Sequence, residues 1–382
     1  MTSVRPLTAA ILLAMTLGAC GGSSDDDSDT PAPVTPPANT GFDYDATEMI
    51  ASLTDTVIVA GYANLEQGMT DLHLAADNLR NDPTAENLLA AQNAWKAARQ
   101  PWERGEAHIF GPIDALSIDP HLDTWPLNTV DLQAQLANNS GFDPEMIKTW
   151  NDDVQGFHTM EYLLFGDGVD NNQKSIEAMT SQEREYLVSL ALVAMDYSSQ
   201  LVQAWTLSYD GGESYAEALK EPGNNFYSAN LAVVEELVNG LIGIVDEVGN
   251  GKIADPFGAS LELADTSLVE SQYSWNSLLD FSDNIIGVQT VYRGEGVGQS
   301  DQPGLDDWVR AADADLADRI DGEIQAAVDA ILAIAGENDM PFRQAILDEA
   351  GRARVQSAVD ALTTLQSSLE SDLLPLLSEW NG

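Results

Sequence analysis

From residue 46 to the carboxy terminus, apolar side chains recur every three to four positions, the spacing that gives a helix one buried stripe. Ile50, Leu53, Val57, Leu65, Met69, Leu72 and Leu79 fall on one such stripe. The β-prone run Thr56–Ala60 sits inside it and is expected to be helical. Asp82-Pro83 reads as an N-cap with proline at the first helical position, opening a second helix that runs to about Phe110. A third helix is expected over roughly 144–165. A fourth is opened by the capping box Thr180–Glu183 and carries Leu187, Leu190, Ala194, Tyr197, Leu201 and Trp205. After a polar stretch at 209–225, four more helices are expected at about 227–248, 267–292, 305–335 and 341–378, the second of them opened by a Ser267/Glu270 capping box. No alternating strand pattern of useful length competes.

The expected fold is therefore all-α, as two packed helical domains resembling four-helix bundles. The boundaries follow the pattern: 42–208 for the N-terminal bundle, 209–225 for a connector and 226–382 for the C-terminal bundle. One segment breaks the rhythm. Residues 111–143 carry prolines at 112, 120 and 126 and form a long irregular insert, expected to fold over the end of the bundle and to have a functional role.

The first forty residues have a different character. Arg5 precedes an apolar run from Leu7 to Leu17, too short to span a bilayer as a mature helix, so 1–19 reads as a secretory signal. Leu17-Gly18-Ala19-Cys20 looks like a bacterial lipobox, and Cys20 is the single cysteine of the chain. Cleavage before Cys20 and acylation of it would anchor the protein to a membrane outside the cytoplasm. Gly21, in place of Asp, favours the outer membrane by analogy with bacterial lipoproteins. Residues 20–41 then form a Gly/Ser/Asp/Thr/Pro-rich spacer.

Charge narrows the partners. With 62 acidic against 16 basic residues, the formal net charge is −46, which excludes a nucleic-acid-binding face. One cysteine excludes a disulfide framework, a four-cysteine zinc site and an iron–sulfur cluster. Only Asp25, Asp26, Asp27 and Asp29 of the acids fall in the spacer, so the excess belongs to the folded part; a solvated surface suited to salty surroundings is its default explanation, and it favours a cationic ligand only when combined with the His158/Glu161 motif described below.

Four histidines exist, at 73, 108, 121 and 158. His158 and Glu161 stand three apart on a helix and share a face, as helical bundles present an imidazole and a carboxylate to one metal ion. There is no H-E-x-x-H. The inverted H-x-x-E-H fails at Tyr162, and a carboxypeptidase-like set fails because His158 is the last histidine. Oxygen-rich ligation leans toward iron, manganese or calcium rather than structural zinc. Upstream, Trp95, Arg99, Trp102 and Glu106 recur on one face of the second helix, near Pro101 and Gly105, which are expected to bend it. The alternative for this segment is a solvated Arg99–Glu103 pair with the tryptophans packing inward.

G-F-H-T-M-E-Y-L-L-F-G at 156–166 resembles the G-x-H-x-x-E signature of the imelysin-like family of bacterial cell-surface and periplasmic proteins. The A-W-x-x-A-R-x-x-W-x-x-x-E segment at 94–106, Gly111-Pro112 and Trp125-Pro126 are similar to segments that precede the signature there. The resemblance covers roughly 42–382. It implies two related helical bundles with a site near their interface. The family is named for an insulin-cleaving membrane peptidase, while many members are iron-regulated or linked to iron uptake. Gly156, His158 and Glu161 match the signature, and Arg99 and Glu106 match the upstream segment. His108 stands where an aromatic is expected, as a local substitution or an extra ligand.

In the second half, Leu279–Gly294 ends like the signature helix, which aligns Gln289 with Glu161 and Ile286 with His158. Such a degenerate copy lacks the ligand pair. Asp283 and Tyr292 are expected to face the site, whereas Asp280 reads as ordinary helix polarity. The leading expectation is a lipid-anchored protein that binds a metal ion or small metal complex at His158, Glu161 and Glu106. Iron is favoured, with zinc or calcium as alternatives. Gly156 and Arg99 would support the site, Arg99 by orienting a carboxylate or binding an anionic co-ligand, and envelope iron-uptake proteins would be partners. The rivals are a metallopeptidase using Glu161 as ligand or general base, and a surface interaction protein with a structural signature.

Overall fold

The computed structural model describes residues 41–139, 141–299 and 302–382. Cys20, the signal and most of the spacer lie outside them. Among the described residues there is no strand, only an isolated bridge between Phe42 and Trp380, and no helix is long and apolar enough to cross a membrane.

Nine helices shape the site. They are α1 (Ala60–Asn81), α2 (Ala85–Gly105), α3 (Ile118–Asp123), α4 (Gly156–Phe165), α5 (Ser181–Thr206), α6 (Asn230–Asp246), α7 (Ser277–Arg293), α8 (Ala314–Ala333) and α9 (Glu349–Ser368). Helix α1 packs against α2 and α5, α4 lies across α2 and α5, and α7 bridges α2 to α8, which packs on α9. The apolar stripes of both halves meet in one continuous core from Ala46 to Trp380, with Trp95, Trp205, Trp308 and Phe157 fully buried. The two ends of this body are tied: Phe42 N donates to Glu379 O at 3.1 Å, and Asn381 N donates to Phe42 O at 3.0 Å.

The helical periodicity survives, and several boundaries move. The stripe from residue 47 to Asn81 is one helical run with a wide π-helical stretch at Leu53–Val59, so the β-prone residues are helical as expected. Thr84, not Asp82, caps α2: its hydroxyl accepts from Asn87 N at 3.2 Å, while Asp82 closes α1. The Thr180/Glu183 capping box of α5 forms in both directions.

The Ser267/Glu270 box does not form. Ser267 N turns back to Asp265, Ser271 and Trp275 adopt left-handed backbone angles, and α7 starts only at Ser277. Those two turns carry Glu270 inward. The expected 144–165 helix is likewise split, with α4 beginning at Gly156. Asp313 interrupts the 305–335 helix by capping α8 with its own carboxylate.

Pro101 lies inside α2, which tightens into a 3₁₀ turn at Glu106–His108. The 111–143 insert condenses into short helices, of which α3 ends beside α4. Helix α7 reaches α2 backbone to backbone: a Cβ at Gly287 would lie 2.3 Å from Arg104 O.

Candidate metal centre

Six segments converge on a charged pocket in the interior. Helix α2 supplies Arg99 and Glu103, and the 3₁₀ turn that continues it supplies Glu106; the end of α3 supplies Asp123; α4 supplies His158 and Glu161. From the second half come Lys252, on the π-helical turn after α6, then Glu270, Ser274 and, on α7, Asp280 and Asn284. Of these, Arg99, Glu103 and Glu161 are 0 % exposed and His158 and Asp280 are 1 %.

His158 sits at the meeting point. Its Nδ1 lies 3.2 Å from Glu161 Oε2, an acceptor only, so this nitrogen carries a proton. Glu161 Oε1 is fixed in turn by the backbone N–H and the hydroxyl of Ser274, each at 2.7 Å. The other ring nitrogen, Nε2, is buried and has no hydrogen bond of acceptable direction, although Asp123 Oδ1 is 3.1 Å away and Glu270 Oε1 is 3.9 Å away. Among the described residues, Asp123, His158 and Glu270 form the one set that brings three possible ligand atoms within 4.8 Å of one another. Trp125 stands edge-on over the imidazole at 4.7 Å and covers it.

Gly156 makes this approach possible. Its backbone is left-handed (φ +65°), and a Cβ there would lie 2.2 Å from Leu122 O, next to Asp123. The signature glycine thus lets α3 set Asp123 against the first turn of α4.

Arg99 organises the carboxylates. Its guanidinium reaches Asp123 through Nη1, Glu103 and Glu270 through Nη2, and Asp280 through Nε at 3.3 Å, and it lies over the Phe157 ring at 5.0 Å. The Arg99–Glu103 pair exists, in the interior rather than on a solvated edge. Trp102 Nε1 adds a hydrogen bond to Asp123 Oδ2 at 2.6 Å. Lys252 Nζ lies 2.8 Å from Glu106 and 3.4 Å from both Glu103 and Glu270.

Six buried carboxylates, of Glu103, Glu106, Asp123, Glu161, Glu270 and Asp280, thus face Arg99, Lys252 and His158. Even with the imidazole charged, negative charge is in excess. Protonation follows local surroundings. Burial pushes Glu103 up to about 8, only partly countered by Arg99 and Lys252, and raises Asp280 to about 6. Burial also lifts Glu106 well above the ordinary carboxylate range. Asp123 goes the other way, because Arg99 and His158 outweigh its burial. Burial alone would lower His158, but the Asp123 and Glu161 carboxylates on either side raise it to about 9.

The sequence-derived residues divide accordingly. His158, Glu161, Gly156 and Arg99 are in the centre or form its frame. Glu106 belongs to the neighbouring Lys252 cage, where Asn284 Nδ2 also donates to it at 2.6 Å. Asp283 is engaged by Arg104 at 2.8 Å, and the Tyr292 hydroxyl donates to Ala317 O at 3.1 Å, so both are committed elsewhere on α7. Asp280 holds Arg99 and is therefore part of the site rather than surface polarity. His108 is a core histidine: its Nδ1 meets Tyr62 OH at 3.1 Å, and burial lowers it to about 4. Gln289, in the degenerate copy, turns outward to Gln325. Asp123, Glu270 and Lys252 escaped sequence reasoning. The insert flagged as functional was the available signal for Asp123; nothing local marked the other two.

An all-helical body with a buried imidazole–carboxylate centre, built by residues far apart in sequence, defines the class. The Imelysin (Peptidase_M75) family profile matches residues 58–369, and the chain belongs to the imelysin family. It is 29 % identical over 332 residues, 86 % of each chain, to iron-regulated protein A of Synechococcus elongatus. Its fold is similar to the crystal structure of an iron-regulated protein A precursor from Parabacteroides distasonis, with a TM-score of 0.75, 27 % identity and coverage of 91 % of this chain and 97 % of that one. An imelysin-like protein from Psychrobacter arcticum shares the fold at 16 % identity, with a TM-score of 0.70 and coverage of 90 % and 99 %.

Proposed function

We propose that this chain is a cell-envelope lipoprotein that holds one metal ion, iron by preference, at Asp123, His158 and Glu270, in an iron-uptake or metal-handling role. The observation that carries the reading is His158 Nε2: a buried nitrogen without a directed hydrogen bond, with two carboxylate oxygens beside it. Glu161 holds the opposite nitrogen, the arrangement by which an outer carboxylate fixes a metal-binding imidazole. A cation at Nε2 would take the place of the second imidazolium proton and offset the excess of buried carboxylates. One imidazole with oxygen donors suits iron or manganese, and the iron-regulated names of the relatives favour iron.

Burial favours binding over peptide cleavage, since the side chains of His158, Asp123 and Glu270 are only 1 %, 6 % and 10 % exposed, and a polypeptide substrate would have to reach them. The test is metal content after chelation and reloading with Fe²⁺ under anaerobic conditions, with Mn²⁺, Zn²⁺ and Ca²⁺ in parallel. One equivalent is expected, lost in His158→Ala and Asp123→Asn. No uptake of any of these ions refutes the reading, and metal-dependent peptide cleavage abolished by His158→Ala supports the peptidase instead.

The anchor rests on Leu17-Gly18-Ala19-Cys20 after the apolar run. Cys20→Ser is expected to move the protein from the membrane fraction to the soluble envelope fraction. Unchanged membrane retention refutes acylation at this position.

A further inference from the structure

Beside the candidate centre lies a second pocket of the same chemical kind, filled by the protein itself. The Lys252 ammonium is buried among Glu106 Oε2 at 2.8 Å, Glu103 Oε2 at 3.4 Å and Glu270 Oε1 at 3.4 Å. Three carboxyl groups, from α2, the 3₁₀ turn after it and the 270 turn, thus converge on one point, where a single positive charge stands. Asn284 closes the cage, its Nδ2 donating to Glu103 Oε2 and Glu106 Oε2, each at 2.6 Å. Its own Oδ1 is buried and has no partner. Lys252 lies on a π-helical turn, Glu247–Ala254, whose wider i→i+5 rings turn this long side chain into the interior. Glu270 Oε1 is shared, lying near Lys252 on one side and His158 Nε2 on the other.

A tethered ammonium inside a ring of carboxyl oxygens stands where a hard cation could stand, since both are held by oxygen ligands that carry negative charge. The pocket is also within reach of solvent ions. Glu106 lines a cavity of about 420 Å³ whose other polar walls are Asp119, Glu236, Glu247 and Asn239, with no Lys or Arg among the lining residues.

We infer that Lys252 is a built-in substitute for a second metal ion: it occupies the cation position of the Glu103/Glu106/Glu270 cage and so restricts the protein to one exchangeable metal. The inference rests on the reading of Asp123, His158 and Glu270 as the first position only for the total count. The cage itself does not use His158 or Asp123.

The test measures Mn²⁺ bound per folded chain by elemental analysis after chelation, reloading and desalting. The wild type is expected to hold one ion, Lys252→Ala two, and Lys252→Arg, which keeps the charge, one. The double variant His158→Ala/Lys252→Ala separates the two ideas. It is expected to hold one ion, in the cage, whatever becomes of the first position. If the wild type binds none but this double variant binds one, the first reading fails and the inference stands. If Lys252→Ala is folded yet binds no more than the wild type, the inference is overturned. Should Lys252→Ala unfold in chelator, recovery of native circular dichroism with Mn²⁺ supports the inference, and failure to fold with or without Mn²⁺ overturns it.

Discussion

Replacing Arg99 by Met tests the frame of the centre most directly. Methionine fills most of the same volume and keeps the contact with Phe157, so the change is chiefly one of charge. Four carboxylates, of Glu103, Asp123, Glu270 and Asp280, lose their common partner in an interior where Arg99 is 0 % exposed. Breaking a buried ion pair by removing one partner costs about 3–5 kcal/mol, because the remaining charge stays desolvated. The folded body, 41–382, has an unfolding entropy of about 0.7 kcal/mol/K from the usual per-residue value, so this loss corresponds to a fall in Tm of about 4–7 °C. Four orphaned carboxylates make the upper part of that range the expectation. Scanning calorimetry in chelator at pH 7 measures it. Arg310→Met is the control: Arg310 pairs with Asp306 and Asp318 at the surface, its side chain is 43 % exposed, and little change is expected. An Arg99→Met protein within about 2 °C of wild type, no worse than the control, would refute the view that one guanidinium neutralises the cluster.

Three further outcomes follow from the same geometry. Gly156→Ala puts a Cβ against Leu122 O in a left-handed backbone, so thermal stability is expected to fall by at least about 1–2 kcal/mol, and metal uptake to weaken as Asp123 is pushed from His158; unchanged melting and metal content would contradict the packing described. Ser274→Ala removes the hydroxyl but not the backbone N–H from Glu161, one step further out than the Glu161–His158 bond, so it should weaken metal affinity by less than the about 10–100-fold expected for losing a direct partner of a metal-binding histidine, with little change in fold. His108 binds its proton less readily folded (about 4) than unfolded (about 6.5), so the unfolded state takes up more protons as acid is added. Its contribution is complete above pH 6.5 and is lost as the pH falls toward 4, by about 3 kcal/mol. In denaturant titrations the gap between wild type and His108→Gln should therefore shrink or reverse over that window, and a constant gap would rule this out.

What could be read from the chain was what neighbours within one helix encode. His158 and Glu161 share a face by spacing alone, Arg99 stood out between tryptophans, and Gly156 came with the signature. The rest depended on turns that bring distant segments together. Glu270 imitated a capping box, because Ser-x-x-Glu is the same string whether or not the helix starts there; the left-handed residues Ser271 and Trp275 decided otherwise. Asp280 looked like ordinary helix polarity because its partner Arg99 is 181 residues away. Lys252 lay beyond the end of the expected helix, and only the π-helical continuation of α6 carries it inward. Asp283 and Tyr292, picked out by the likeness of 279–294 to the signature helix, do lie on α7, where they pair with Arg104 and Ala317 of other elements.

The distribution of these residues along the chain also gives the centre a history during synthesis. Arg99, Asp123 and His158 leave the ribosome early, while Lys252, Glu270 and Asp280 follow roughly a hundred residues later. A nascent chain that has emerged only as far as α6 therefore carries an Arg99 lacking two of its four carboxylate partners and a Glu106 lacking its ammonium. The N-terminal half cannot finish its own interior. Closure of the core needs the last third of the polypeptide: a product ending before residue 270 lacks the Glu270 and Asp280 partners of Arg99, however complete its helices are.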